Sequence, residues 1–128
     1  MSKALTLTLS AAASLLGFAL SVSAQSNDFN LTYHVERTPE AALDIETCGA
    51  VVEKAAAKAG FDPNVQSFPG QLVLVSGGKE GRGVFTVQCI AVENMTVSVV
   101  QGIDCRNQKG ALGEFADNVQ TAIMAAKK

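Results

Sequence analysis

Tryptophan is absent from this 128-residue chain, tyrosine and histidine occur once each, and cysteine occurs three times. Each scarcity removes a class of chemistry. Aromatic residues make up 5% of the chain, too few for a platform on which sugars or bases stack. The lone histidine, His34, builds no histidine cluster, and no Cys-x-x-Cys or other paired-ligand spacing occurs. No metal site and no cofactor is therefore expected. Ten Lys and Arg stand against twelve Asp and Glu, a net charge of −2. The basic residues do not cluster, which excludes a protein that tracks a nucleic-acid backbone. The stretch Gly77-Gly78-Lys79-Glu80-Gly81-Arg82-Gly83 is rich in glycine, but no Gly-Lys-Ser/Thr follows and it leads to a strand. A phosphate loop needs that motif and a helix N-terminus, so a flexible hairpin loop is the reading.

Long apolar runs are also missing, with one exception at the start. Lys3 is followed by apolar and small residues from Ala4 to Leu20, then by Val22-Ser23-Ala24. A basic residue, an apolar core and small residues at the cut predict a secretory signal over residues 1–24, removed after Ala24. The alternative is a membrane anchor, but a run of about 17 residues weakened by Ser and Ala is at the short edge of a spanning helix. No lipobox cysteine stands near the cut. Residues 25–128 are then expected as one small domain, soluble after cleavage, with the net charge moving from −2 to −3 on loss of Lys3. The short alanine-rich leader points to a bacterial periplasm or to secretion. The sequons at Asn30 and Asn94 are then chance occurrences.

What is present is a long apolar hairpin. Gly83 to Val92 is rich in Val, Ile, Phe and Thr, and so is Met95 to Cys105, with Glu93-Asn94 between them. Branched residues suit a pleated surface, and a two-residue turn, with Asn94 tolerating left-handed backbone, sets Val92 opposite Met95. One face then carries Val84, Thr86, Gln88, Ile90 and Val92 beside Met95, Val97, Val99, Gln101 and Ile103. The other carries Phe85, Val87, Cys89 and Ala91 beside Thr96, Ser98, Val100 and Gly102. Its smaller side chains admit a helix at close range.

Upstream, Phe29, Leu31, Tyr33 and Val35 alternate with Asn30, Thr32, His34 and Glu36, which predicts a half-buried first strand with the apolar set inward. Thr38-Pro39-Glu40 has the form of a helix start, and Ala41, Ile45, Cys48, Val52, Ala55, Ala56 and Ala59 recur at helical spacing. Gly60 and Asp62-Pro63 stop that helix. Val65 to Phe68 reads as a short strand, and Gln71 to Ser76 as a central strand apolar on both faces. Leu112, Phe115, Ala116, Val119, Ala122, Ile123 and Ala126 form the stripe of a last helix, with Lys127-Lys128 complementing its C-terminal dipole. The order β-α-(β)-β-β-β-α predicts a two-layer α+β fold, an antiparallel sheet of four to five strands with two helices on one face. The face bearing Thr32, His34 and Glu36 is expected to be the solvated one.

Three cysteines in an exported chain suggest one bridge and one free thiol. Cys48 on the helix stripe and Cys89 on the small-residue face are the expected pair. Cys48–Cys105, or another arrangement including three reduced thiols, is the alternative, and geometry decides among them. Cys105 is then the candidate free thiol. His34, Lys79, Arg82, Asp104, Arg106 and Lys109 are candidates for a binding rim on the open face and loops, although Asp104 or Asn107 also suits a helix cap. No catalytic constellation is present: a thiol nucleophile needs a base, and His34, far off in sequence, is the one histidine available. The leading expectation is a small exported non-enzymatic protein that binds a protein, a peptide or a small ligand, with a homodimer among the options. The alternatives are a thiol- or histidine-dependent enzyme or redox protein and, more weakly, a metal-binding accessory protein.

Overall fold

The computed structural model describes residues 28–128. The leader expected over residues 1–24 and its cleavage point lie outside the described residues. Five strands form one antiparallel sheet: β1 (Asn30–Pro39), β2 (Asn64–Phe68), β3 (Leu72–Lys79), β4 (Gly83–Val92) and β5 (Met95–Asp104), in the spatial order β1-β5-β4-β3-β2. Two helices, α1 (Ile45–Lys58) and α2 (Ala111–Ala125), pack on one face. The chain order is β-α-β-β-β-β-α, an α+β fold of two layers.

The hairpin sits at the centre. Val92 pairs with Met95, Val87 with Val100 and Gly83 with Asp104, so the register counted from the turn holds. The left-handed residue in the turn is Glu93, with φ 55°, and not Asn94. β3 continues the meander beside β4, with Val75 opposite Val87, and β2 closes one edge beside β3. β1 closes the other edge against β5. The connection through α1 therefore carries the chain from one edge of the sheet to the other.

The core lies between the sheet and the helices. Val73, Val75, Phe85, Val87, Cys89 and Val100 face Ile45, Cys48, Val52, Leu112, Phe115, Val119 and Ile123. Phe61, Phe85 and Phe115 form a cluster with ring centroids 4.6–5.3 Å apart in tilted and edge-on pairs, geometries that suit aromatic quadrupoles. Small residues set the spacing. A Cβ on Gly102 would lie 2.1 Å from the Leu112 carbonyl oxygen, so the first turn of α2 crosses β5 where no side chain exists. A disulfide joins Cys48 of α1 to Cys89 of β4, with both residues fully buried.

Three further expectations need correction. β1 runs on to Pro39, and α1 starts later, at Ile45, capped by Asp44. Thr38-Pro39 imitates a helix start, yet Pro39 lies on an edge strand, where its missing N–H costs no ladder bond. Asp44 instead accepts from the Thr47 amide at 2.7 Å, which holds its carboxyl below the usual value. Lys127 is not a dipole-complementing residue of the last turn: it follows α2 and donates to Glu36 of β1 at 3.1 Å.

The third correction bears on function. Thr32, His34 and Glu36 face the helix layer, and Leu31, Tyr33 and Val35 face outward. The reason lies in α2, which overhangs β1 with a polar flank. Asp117 meets His34, Lys127 meets Glu36, and the Thr32 hydroxyl comes up against the backbone at Gly113. Polar partners under the helix draw the polar side of the strand inward and leave its apolar side outside.

Candidate functional site

The register places the outward side chains of all five strands in rows. Leu31, Ile103, Val84 and Gly78 form one row. Tyr33, Gln101, Thr86, Ser76 and Asn64 form the next, and Val35, Val99, Gln88, Leu74 and Gln66 the third. Arg37, Val97, Ile90, Leu72 and Phe68 follow, and Pro39, Met95 and Val92 close the face. Among these positions Arg37, on the edge strand, carries the one formal charge. Six of the nine large apolar residues exposed among the described residues stand here: Leu31, Tyr33, Val35, Phe68, Val84 and Val92. Tyr33 is 64% exposed and Val35 57%. Scattered exposed apolar side chains are normal for a soluble protein, whereas a contiguous face of them marks an interaction surface. One polar pair of the face is joined: the Thr86 hydroxyl donates to Gln101 Oε1 at 3.1 Å.

Sequence reasoning pointed to the open face but missed the share of it that β1 supplies, because it placed the apolar side of β1 in the core. The signal was available in the hairpin. Both of its faces are apolar, and two helices cover only one face of a five-stranded sheet.

The rim candidates separate into three places. Lys79, Arg82, Cys105 and Arg106 gather where the β3–β4 and β5–α2 connections meet. Gly81, Arg82, Asp104, Cys105, Arg106 and Ala111 line a cleft of about 290 Å3 there, and Lys79 lines its neighbour with Cys105 and Val84. Cys105 is an exposed free thiol, and its amide donates to the Arg82 carbonyl at 2.8 Å. Arg106 is turned onto its own loop and donates to the Lys109 carbonyl at 3.0 Å.

Asp104 borders the same cleft, but its carboxylate is turned to α2. It is 2% exposed, and its carboxylate accepts from the amides of Gly110 at 2.8 Å, Leu112 at 3.0 Å and Gly113 at 3.0 Å. These are donors at the N-terminus of α2 that lack a partner within the helix. Gly110, the N-cap residue, has no side chain for the task. A Cβ there would come within 2.8 Å of Asp104 Oδ1, so the glycine makes room for the carboxylate.

His34 and Lys109 meet elsewhere, on the seam between β1 and α2. His34 Nε2 lies 2.9 Å from Asp117 Oδ1, and the Lys109 ammonium contacts the other oxygen. Lys109 first, and His34 after it, hold the Asp117 carboxyl below its usual value. The structure does not bring His34 to Cys105. His34 stands at the register of Val100, and Cys105 is five residues further along, about 16 Å at the rise of a strand. Among the described residues, no group of three or more His, Cys, Asp or Glu side chains is placed to hold a metal ion. No described helix is long and apolar enough to cross a membrane.

Residues 28–128 match the model of a family of unknown function, DUF6180, and the chain belongs to that family. No curated protein matches the chain in sequence.

Proposed function

We propose that this chain is an exported, non-enzymatic interaction domain, and that it binds its partner through the open face of its sheet. The observation that carries the reading is the concentration of exposed Leu31, Tyr33, Val35, Phe68, Val84 and Val92 on one surface whose one formal charge is Arg37. Export rests on the leader-like residues 1–24 and on a buried disulfide, a bond that persists in oxidising compartments. The separation of His34 from Cys105 gives the thiol-enzyme alternative no base to work with.

The test uses lysine substitutions that leave the core alone. Val35→Lys and Val84→Lys replace exposed side chains, so the melting temperature should stay within a few degrees of the parent. Binding of an apolar dye such as bis-ANS to dilute protein should fall sharply in both. Should Val84→Lys fail to fold, Val35→Lys carries the test alone. Unchanged dye binding would place the apolar site elsewhere and defeat the proposal.

A further inference from the structure

We infer that the occupant of the open face is a second copy of this chain, packed sheet on sheet about a two-fold axis. This rests on the open face being the docking surface proposed above and names what docks there.

The chemistry of the face suits a copy of itself. Its second row, Asn64, Ser76, Thr86, Gln101 and Tyr33, is polar throughout. Each of these side chains carries both a donor and an acceptor, so each can hydrogen-bond to another of its own kind. Leu31, Ile103 and Val84 flank it on one side and Val35, Val99 and Leu74 on the other, with Gly78, Gln88 and Gln66 among them. A two-fold axis along β4, the middle strand, sets each row against itself: Thr86 meets Thr86, Gln101 meets Ser76 and Tyr33 meets Asn64, while Val99 meets Leu74 and Ile90 meets Ile90. Arg37, on the edge strand, stays at the margin, so no like charges are buried. A face meant for a charged peptide or an anionic membrane would carry fixed charge of one sign, and this one does not.

The area also fits. The strands contribute ten, five, eight, ten and ten residues. At about 3.3 Å along a strand and 4.8 Å between strands, they span about 700 Å2. With short β2 opposite β1 the overlap is incomplete, and two such faces together bury about 1,100 Å2, above the roughly 1,000 Å2 that a specific interface needs. Sheets stacked this way in sandwiches lie about 10 Å apart with strands nearly aligned, which gives the present sheet the second layer it lacks on that side.

Sedimentation velocity decides the matter, on protein purified after expression of the full 128-residue coding sequence. Using the Cys105→Ser background removes linkage through the exposed thiol. A dimer is expected at micromolar concentration. Val84→Lys, on the central strand, should weaken it about a hundredfold or more, because the ammonium would be buried at the contact. Met124→Lys, at an apolar residue 44% exposed on the helix layer, should leave the dimer unchanged. If Val84→Lys fails to fold, Gln88→Lys on the same strand serves in its place. A dimer that survives the β4 substitutions pairs through a sheet edge, and a dimer lost in Cys105→Ser is a disulfide adduct. Either overturns the inference. A monomer at all concentrations overturns it too. In that case, dye binding that Val84→Lys abolishes leaves the docking face standing, and no dye binding removes both readings.

Discussion

Removing the Asp104 carboxylate should cost this fold a large share of its stability. The side chain is buried and accepts three backbone hydrogen bonds from Gly110, Leu112 and Gly113. Asp104→Ala leaves these donors unpaired beneath α2. A hydrogen bond to a charged group contributes about 1.5–3 kcal/mol, and an orphaned buried donor costs about 1–3 kcal/mol. Three such terms do not add in full, because water reaches the helix end once the side chain is gone. A loss of about 3–5 kcal/mol is the expectation, comparable to breaking a buried ionic contact. The whole domain has about 5–15 kcal/mol to lose. With a slope near 1.5 kcal/mol per molar urea, a loss of about 3 kcal/mol moves the midpoint down by about 2 M. Asp104→Asn keeps one acceptor oxygen and should fall between the alanine variant and the parent. Urea denaturation followed by far-UV circular dichroism is the assay, with the slope checked for constancy. An alanine variant within about 1 kcal/mol of the parent would refute the capping role and return Asp104 to the cleft as a surface group.

Three further outcomes follow from the same geometry. Cys48→Ala and Cys89→Ala each open a loop with a sequence separation of 41 and should each lose about 4 kcal/mol in the chain-entropy model. Cys105→Ala, at an exposed site, should stay within about 0.5 kcal/mol of the parent by the same denaturation assay. Gly102→Ala drives a methyl against the Leu112 carbonyl and should cost about 1–3 kcal/mol by pushing α2 off the sheet. A melting temperature equal to the parent's would contradict that close approach. Asp117 has its pKa lowered in the fold by Lys109 and His34, so its contribution is present above the ordinary carboxylate value and is lost as pH falls through the lowered one. The pair is well exposed, so Asp117→Asn should cost at most about 1 kcal/mol at neutral pH. That difference should vanish in acid. A deficit that grows below pH 4 would reverse the sign argued here.

The central hairpin was readable because three local signals agreed: a two-residue turn, alternating branched residues and one face of small side chains. That agreement set Val92 against Met95 and Cys89 on the helix-facing side. The helix stripes were readable for the same reason, since Cys48 to Val52 and Phe115 to Val119 keep a helical period. β1 was harder. Alternation separates Leu31, Tyr33 and Val35 from Thr32, His34 and Glu36, but it does not say which set meets the helices. That choice depends on Asp117 and Lys127, 83 and 91 residues away from their partners. The start of α1 was misplaced because Thr38-Pro39-Glu40 satisfies the rules for a helix start and for a strand end on a sheet edge alike. The capping of α2 by Asp104 was half visible. The residue type suited a cap, yet its distance of six to nine residues from its donors belongs to the turn of the chain out of β5.

The most direct test of the open face is hydroxyl-radical footprinting of the protein in the compartment where it accumulates, compared with the same protein purified and dilute. Tyr33 and Met95 report the open face, and Met124 reports the helix layer. Protection of Tyr33 and Met95 in the cell, with Met124 labelled equally in both settings, is the expected result. Equal labelling of Tyr33 and Met95 in the two settings, or protection confined to Met124, would contradict the proposal that this sheet face is where the molecule meets its partner.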